Sequence, residues 1–257
     1  MNHTHAAVKV ESSEQQERAL SPLRTIFMLG FWVVALPIAG LIGVPWSYLV
    51  GNVNFLYKAC MWGAWTGVHL AGVRVETIGL DQIDPSQRYI YMSNHISNLD
   101  PPITIPLIPQ RSSVLVKKEL FKVPILGHIM RMGSLVPVDR GNRDAAITAV
   151  RDSIDAIRGH NLSMVIYVEG RRSFDGRLLP FKKGPFYLAE ECRMPVVPIT
   201  ISGTEHVMPK AHFGIRPGVA TVQFHAPIQP EDFGTRDELM AKVRAAIDGG
   251  LPKELRE

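Results

Sequence analysis

The chain has 257 residues, of which 20% are charged and 46% hydrophobic, a composition too apolar for a disordered protein and suited to one large α/β domain with or without a small accessory element. Its two cysteines exclude a disulfide-rich scaffold and a four-cysteine zinc site. The 28 Lys and Arg residues outnumber the 24 Asp and Glu residues, which suits an anionic partner.

The first 20 residues are polar, which indicates a flexible tail. A long apolar segment follows, with no charged residue from residue 25 to residue 57 and with Lys58 as its single charge up to residue 73. About 20 apolar residues suffice to span a membrane, so this segment is long enough. It predicts a membrane-associated element over residues 21–72.

Two prolines shape the prediction for this element. Pro37 and Pro45 interrupt the apolar pattern, and a proline inside a helix breaks or kinks it. We therefore expect a hairpin of two helices, near residues 22–48 and 52–72, rather than one clean span. The long polar segment before the apolar run and the lack of a small-residue cleavage site after it argue against a cleavable signal peptide, whereas a hairpin buried in a soluble core is an open alternative.

Beyond residue 73 short β-rich runs alternate with helical patterns. Runs rich in Val, Ile and Tyr predict strands at residues 73–78, 89–92, 113–116, 135–138, 164–168, 196–201 and 219–224. Helical spacing marks residues 144–158, a shorter helix begins near Lys183, and Thr235 with Glu238 forms a capping box before a last helix. The alternation predicts an α/β fold over residues 73–257, with a mixed, mainly parallel sheet flanked by helices.

The loop after the predicted strand at residues 89–92 contains His95 and Asp100. Where a chain turns after a strand, such a carboxylate can accept the imidazole N–H and leave the other ring nitrogen as a general base. The spacing alone is weak evidence, because about one such pair is expected by chance in this composition. Its position at a strand end favours catalysis, and a loop histidine that only satisfies backbone groups is the alternative.

Three further strand ends carry basic residues. Lys117 follows one predicted strand, Arg140 follows the next, and Arg172 comes shortly after Glu169 and Gly170. Arginine and lysine hold phosphates through charge-assisted hydrogen bonds. Each cluster alone is typical of solvated surface, but their convergence with the histidine loop favours a phosphate site.

Four sequence blocks carry a resemblance to a known family. The blocks are Asn94-His95 with Asp100, Val138-Asp139-Arg140, Glu169-Gly170 with Arg172-Ser173, and Met194-Pro195-Val196-Val197-Pro198. In this order, over residues 73–203, they resemble the glycerolipid acyltransferases, and among them the 1-acylglycerol-3-phosphate acyltransferases. The apolar N-terminal hairpin is also typical of that family. The family's third block usually contains Pro-Glu-Gly-Thr-Arg, and here Val168 and Arg171 replace the proline and the threonine.

The resemblance implies transfer of an acyl group from acyl-CoA or an acyl carrier protein to the free hydroxyl of lysophosphatidic acid, which gives phosphatidic acid. It implies that His95, held by Asp100, is the general base. The implied substrate-binding residues are Asn94, Lys117, Arg140, Glu169, Gly170 and Arg172. No metal and no cofactor are expected, because the acyl donor is a substrate.

The expected partners are membrane phospholipid, lysophosphatidic acid and the acyl donor. Nucleic acid is not expected, since the basic residues are not interleaved with aromatics. Arg18 and Arg24 precede the apolar run and favour a cytoplasmic N-terminus, which predicts a location at the cytoplasmic face of a membrane, the inner one in a bacterium. Two alternatives stay open: another lysophospholipid or lyso-lipid acceptor, or a non-catalytic protein that binds anionic lipid and needs neither His95 nor Asp100.

Overall fold

The computed structural model describes residues 21–139, 143–209 and 214–256, so the predicted tail lies outside it. Two apolar helices, α1 (Pro22–Val50) and α2 (Asn54–Leu70), form the predicted hairpin. As the predicted first helix of residues 22–48 requires, α1 runs unbroken through Pro37 and Pro45, and it ends two residues later than expected. It ends at Gly51, whose φ of 72° lets the chain leave the helix in a left-handed conformation.

Over the described residues, seven strands and six further α-helices follow the hairpin. The strands are β1 (Val73–Ile78), β2 (Ile90–Ser93), β3 (Ser112–Lys117), β4 (Val136–Val138), β5 (Ser163–Tyr167), β6 (Val196–Ser202) and β7 (Gly218–Phe224). The helices are α3 (Asp100–Thr104), α4 (Leu126–Met132), α5 (Arg143–His160), α6 (Gly184–Cys192), α7 (Thr204–Val207) and α8 (Arg236–Gly250). Each predicted strand is confirmed, with ends within one residue of the expected position. The capping box before α8 is confirmed as well, because Thr235 and Glu238 accept each other's backbone N–H.

The strands form one sheet in the order β1-β7-β6-β2-β5-β3-β4. Every neighbouring pair is parallel except β6 and β7, which are antiparallel, so the expected mixed, mainly parallel sheet is confirmed. The carboxyl ends of β2, β5, β3 and β4 therefore share one edge of the sheet. We call this edge the carboxyl edge.

Helices cover both faces of the sheet. Side chains of successive strand residues point to opposite faces, so each central strand contributes to two hydrophobic clusters. On one face Tyr91 and Val165 belong to a buried cluster that includes Met28 of α1 and Val68 of α2. On the other face, the cluster contains residues of α5, α6 and α8, such as Phe186. The hairpin thus shares a hydrophobic core with the sheet on its inner side.

The outer side of the hairpin is apolar and exposed. Leu41 is 79% exposed and Val33 is 71% exposed, and many further large apolar residues of α1 are more than half exposed. Among the described helices, α1 is the one that is long and apolar enough to cross a membrane by length and composition.

Candidate active site

The loop after β2 brings His95 and Asp100 into direct contact. Nδ1 of His95 lies 2.7 Å from Oδ2 of Asp100, and the two side chains are 7% and 0% exposed. Asp100 opens the short helix α3, so its carboxylate points back along the loop toward the imidazole. A carboxylate only accepts hydrogen bonds, so Nδ1 carries the proton and Nε2 keeps its lone pair. This geometry is the one that a general base requires.

Asp100 is held in place by three further donors. The backbone N–H groups of Ile96 and Ser97 donate to Oδ2 over 2.7 and 2.8 Å, and the Thr204 hydroxyl donates to Oδ1 over 2.7 Å. These bonds compensate the burial of the carboxylate. They also fix its orientation, and through it the orientation of the His95 ring.

The amide of Asn94 joins the histidine loop to the sheet. Its Nδ2 donates to the Ile201 carbonyl over 2.9 Å, and its Oδ1 accepts from the Ile201 N–H over 2.8 Å. Both polar atoms of the side chain therefore bond to β6, and the side chain is buried. A substrate contact of Asn94 stays a prediction, whereas its role in positioning the loop is visible.

Glu169 lies beneath the same loop. Its carboxylate accepts from the N–H of His95 over 3.1 Å and from the N–H of Leu179 over 3.3 Å. Burial raises the pKa of Glu169 to about 7, although the two backbone hydrogen bonds oppose this shift. The next residue, Gly170, has a φ of 70°, which favours glycine at this tight turn. The turn then returns to the loop, since the N–H of Ser173 donates to the His95 carbonyl over 2.8 Å.

Tyr167 and Thr204 contribute to the site without having been singled out in the sequence. The Tyr167 ring stacks on the imidazole of His95, with centroids 4.3 Å apart and planes inclined by 27°. Both residues lie at or just beyond the carboxyl end of a predicted strand, and that position is the sequence feature from which they could have been predicted. Their sequence spacing from His95 is too large to reveal these contacts.

The predicted phosphate-binding residues follow strands that end at the carboxyl edge. Lys117 is the last residue of β3, and its exposed ammonium lies 3.6 Å from Glu119. Arg172 is half-buried in the turn after β5. Arg140 lies outside the described residues, although its neighbour Asp139 forms an ion pair with Lys118. The structure therefore brings Lys117 and Arg172 to the edge that carries His95, and their phosphate contacts stay predictions.

Over residues 21–139, 143–209 and 214–256 no group of three or more His, Cys, Asp or Glu side chains could hold a metal ion. The chemistry that this site offers is proton abstraction by a buried, oriented imidazole.

A family model described as Acyltransferase matches residues 74–202. The chain belongs to the acyltransferase family. The matched region of this acyltransferase begins in β1 and ends with β6, so it contains the His95–Asp100 pair, Glu169 and the Asn94 contact.

Relatives and a solved structure agree with this assignment. The acyltransferase is 34% identical over 205 residues to a 1-acyl-sn-glycerol-3-phosphate acyltransferase of Limnanthes alba, which covers 80% of this chain and 71% of the relative. It is 30% identical over 173 residues to the human 1-acyl-sn-glycerol-3-phosphate acyltransferase alpha, covering 67% of this chain and 61% of the relative. The crystal structure of the 1-acyl-sn-glycerophosphate acyltransferase PlsC from Thermotoga maritima is similar, with a TM-score of 0.79 and 25% identity over 89% of this chain and 93% of that chain.

Proposed function

We propose that this acyltransferase moves a fatty acyl group from acyl-CoA or an acyl carrier protein to the free hydroxyl of lysophosphatidic acid, giving phosphatidic acid. The observation that carries the proposal is the buried 2.7 Å contact between His95 Nδ1 and Asp100 Oδ2. A protein that only binds lipid needs no such pair. The relatives named above support the choice of acceptor, because their names specify 1-acyl-sn-glycerol-3-phosphate.

In the proposed reaction, Nε2 of His95 takes the proton from the acceptor hydroxyl as its oxygen attacks the thioester carbonyl. The tetrahedral intermediate then collapses, the carbon–sulfur bond breaks, and the imidazolium returns the proton to the leaving thiolate. Asp100 stabilises the imidazolium and keeps the proton on Nδ1. A positioned base of this kind contributes about 10²–10⁴-fold to the rate.

Glu169 acts in this scheme as a positioning residue. Its carboxylate accepts from the backbone of His95 and from Leu179, so it ties the catalytic loop to the segment after β5. The sharp turn at Gly170 then directs the following arginines toward the acceptor. Lys117, Arg140 and Arg172 hold the acceptor phosphate, with arginine binding by its planar fork and lysine as a point charge.

The hairpin associates with a membrane in this proposal, at its cytoplasmic face. The exposed apolar side of α1 supports this location, because contiguous apolar surface of that extent is rare on soluble monomers. Membrane association would bring the acceptor lipid and the carboxyl edge together while the donor arrives from the aqueous side.

The proposed base is tested by His95→Ala. We expect transfer from labelled acyl-CoA to lysophosphatidic acid to fall on the order of 10²–10⁴-fold, with sedimentation on vesicles unchanged. His160→Ala, an exposed histidine at the end of α5, is the matched control and should keep full activity. A panel of other lysophospholipids identifies the preferred acceptor, and substantial turnover by His95→Ala would refute the base.

The proposed phosphate contact is tested by Arg172→Ala. Loss of a charge-assisted hydrogen bond costs about 1.5–3 kcal/mol, so the acceptor KM should rise on the order of tenfold or more while the thioester KM changes little. Arg151→Ala, on the exposed side of α5, removes the same charge far from the carboxyl edge and should leave both KM values unchanged. Equal increases in both KM values for Arg172→Ala would contradict a phosphate-binding role.

A further inference from the structure

A groove runs between α2 and the segment that leads into β3. One part is a cleft of about 350 Å³, and an adjoining cleft of about 240 Å³ shares Met61 and Pro106 with it. The first cleft has a cationic end, formed by Lys58 and Arg111. The second is lined by Met61, Trp62, Trp65, Pro106 and Leu107, and is therefore apolar apart from the indole N–H groups. We call the two together the α2 groove.

The polar end of the α2 groove is positively charged and has unused hydrogen-bonding capacity. None of the described residues that line it is acidic. The neighbouring Gln110 is already engaged, because its amide accepts from Tyr91 and donates to Asp84. The Nε of Arg111, in contrast, is buried and has no hydrogen-bond partner among the described residues. A buried donor without an acceptor is unfavourable, and a negative charge in the groove beside the Arg111 guanidinium would offset part of this cost electrostatically.

The position of Lys58 in the sequence also supports an anion site in the groove. It is the single Lys, Arg, Asp or Glu between residues 25 and 73, and it interrupts an otherwise uncharged hairpin. A lysine at such a place keeps its ammonium at the polar boundary while its methylene chain lies along apolar surface. Arg111 meets this boundary from the sheet side, where it directly precedes β3.

The α2 groove lies away from the catalytic pair. Arg111 stands before the first residue of β3, whereas His95 follows the last residues of β2. Both strands are parallel to β5, which lies between them. The five-residue strand β5 is about 17 Å long, so the cationic end of the groove and the imidazole lie at opposite edges of the sheet.

We infer that the α2 groove binds an anionic phospholipid. The headgroup phosphate lies between Lys58 and Arg111, and an acyl chain packs along Trp62 and Trp65. Charge selects the headgroup and apolar burial holds the chain, so the site prefers anionic over zwitterionic lipid. This inference rests on the proposed membrane location of the hairpin, and it is independent of acyl transfer because the groove does not include the carboxyl edge.

The experiment uses the full chain and quenching of tryptophan fluorescence by lipids with brominated acyl chains. Phosphatidylcholine vesicles receive a small share of either brominated phosphatidylglycerol or brominated phosphatidylcholine at the same mole fraction. The measured quantity is the excess quenching by the anionic lipid. We compare the wild-type chain, His95→Ala, Lys58→Gln, the double variant Lys58→Gln/Arg111→Gln, and the double variant Lys242→Gln/Lys253→Gln, which removes the same charge from exposed residues elsewhere.

We expect excess quenching in the wild-type chain, in His95→Ala and in the Lys242/Lys253 control. The groove double variant should lose it, with apparent affinity for the anionic lipid lowered on the order of tenfold, while quenching at high lipid concentration persists. Lys58→Gln changes only an exposed side chain and should show a partial loss even if the Arg111 substitution disturbs folding.

Several results would overturn the inference. Equal quenching of the wild-type chain by both brominated lipids would exclude selectivity for anionic lipid. Unchanged excess quenching in Lys58→Gln and in the groove double variant would place the anionic lipid elsewhere. Loss of the excess on addition of inorganic phosphate would assign the polar end to free phosphate. No quenching by either lipid would refute the membrane location itself, and acyl transfer measured in parallel separates that outcome from failure of the proposed enzyme activity.

Discussion

Asp100 illustrates how several parts of the chain converge on one side chain. Its neighbours in sequence supply the His95 ring and two backbone donors, and the Thr204 hydroxyl comes from beyond β6. The contacts of Asp100 with residues 95–97 follow from a tight loop and can be predicted from the sequence. The Thr204 contact depends on β2 and β6 being neighbours in the sheet, which no local pattern reveals.

Glu205, which follows Thr204, is a second buried carboxylate whose pKa is raised, besides Glu169. Its side chain is 12% exposed, and its Oε2 has no hydrogen-bond partner among the described residues. Burial, followed by repulsion from Asp100, raises the pKa of Glu205 to about 7 from the ordinary value of 4.5. The proton is therefore held by the folded protein between these two pH values and lost from the unfolded chain.

The sign of the resulting pH effect is fixed by this order of pKa values. Stability falls as pH rises from about 4.5 to about 7, because the folded state binds more protons in that window, and the loss is on the order of 3 kcal/mol at most. Glu205→Gln removes this term. We therefore expect the free energy of unfolding of Glu205→Gln, relative to the wild-type value, to be higher at about pH 8 than at about pH 5. Denaturant titration at both pH values measures this difference. A difference that does not change with pH would contradict the buried carboxylate.

At the scale of the elements, the hairpin depends on a close approach of its two helices. Gly67 of α2 is buried, and a Cβ there would overlap the indole Nε1 of Trp32 on α1. The same Nε1 donates to the Gly63 carbonyl over 3.1 Å. Glycine at position 67 thus makes room for the indole, and the indole joins the helices by a hydrogen bond.

Gly67→Ala should therefore destabilise the protein by about 1–3 kcal/mol, as expected for overpacking at a tight contact. Gly63→Ala is the matched control on the same helix, because a Cβ there meets nothing within 4 Å. It should leave stability unchanged or raise it by up to about 1 kcal/mol, since alanine is the better helix former. Thermal unfolding in detergent measures both variants, and equal effects would show that the packing at Gly67 is looser than described.

At the scale of the whole molecule, the hairpin and the α/β domain share one core. Met28, Val68 and Ala71 are almost fully buried in the cluster that contains Tyr91 and Val165. Burial of each larger side chain contributes roughly 1.5–3 kcal/mol, and the net stability of a domain is only about 5–15 kcal/mol. The hairpin is therefore structural for the sheet as well as suited to a membrane.

A chain that begins at residue 73 should consequently fail to fold. Removal of the hairpin takes Met28, Val68 and Ala71 out of this core and exposes the part of it beside α3 and β1, so we expect no cooperative thermal transition and no near-ultraviolet circular dichroism in detergent. The full chain under the same conditions is the control. A truncated chain that melts cooperatively would show that the sheet is stable without α1 and α2.

Much of this architecture could be predicted because its signals are local. Strand positions follow from runs of β-branched residues, the last helix from the Thr235–Glu238 box, and the His95–Asp100 pair from a five-residue separation within one loop. The division of the apolar segment into two helices also falls close to the predicted place, at residues 51–53, and not at Pro37 or Pro45. For Asn94 the prediction was a substrate contact, whereas the structure shows its amide hydrogen-bonded to the backbone of Ile201 in β6.

The sequence by itself determined the strands, the hairpin and the His95–Asp100 pair, because each depends on residues that are near one another along the chain. Only the tertiary structure shows that Tyr167 stacks on His95, that Thr204 and Glu169 hold the loop of His95 and Asp100, and that Lys58 and Arg111 line one groove. These contacts join distant segments, and they form only when the order of strands in the sheet and the packing of α2 bring those segments together.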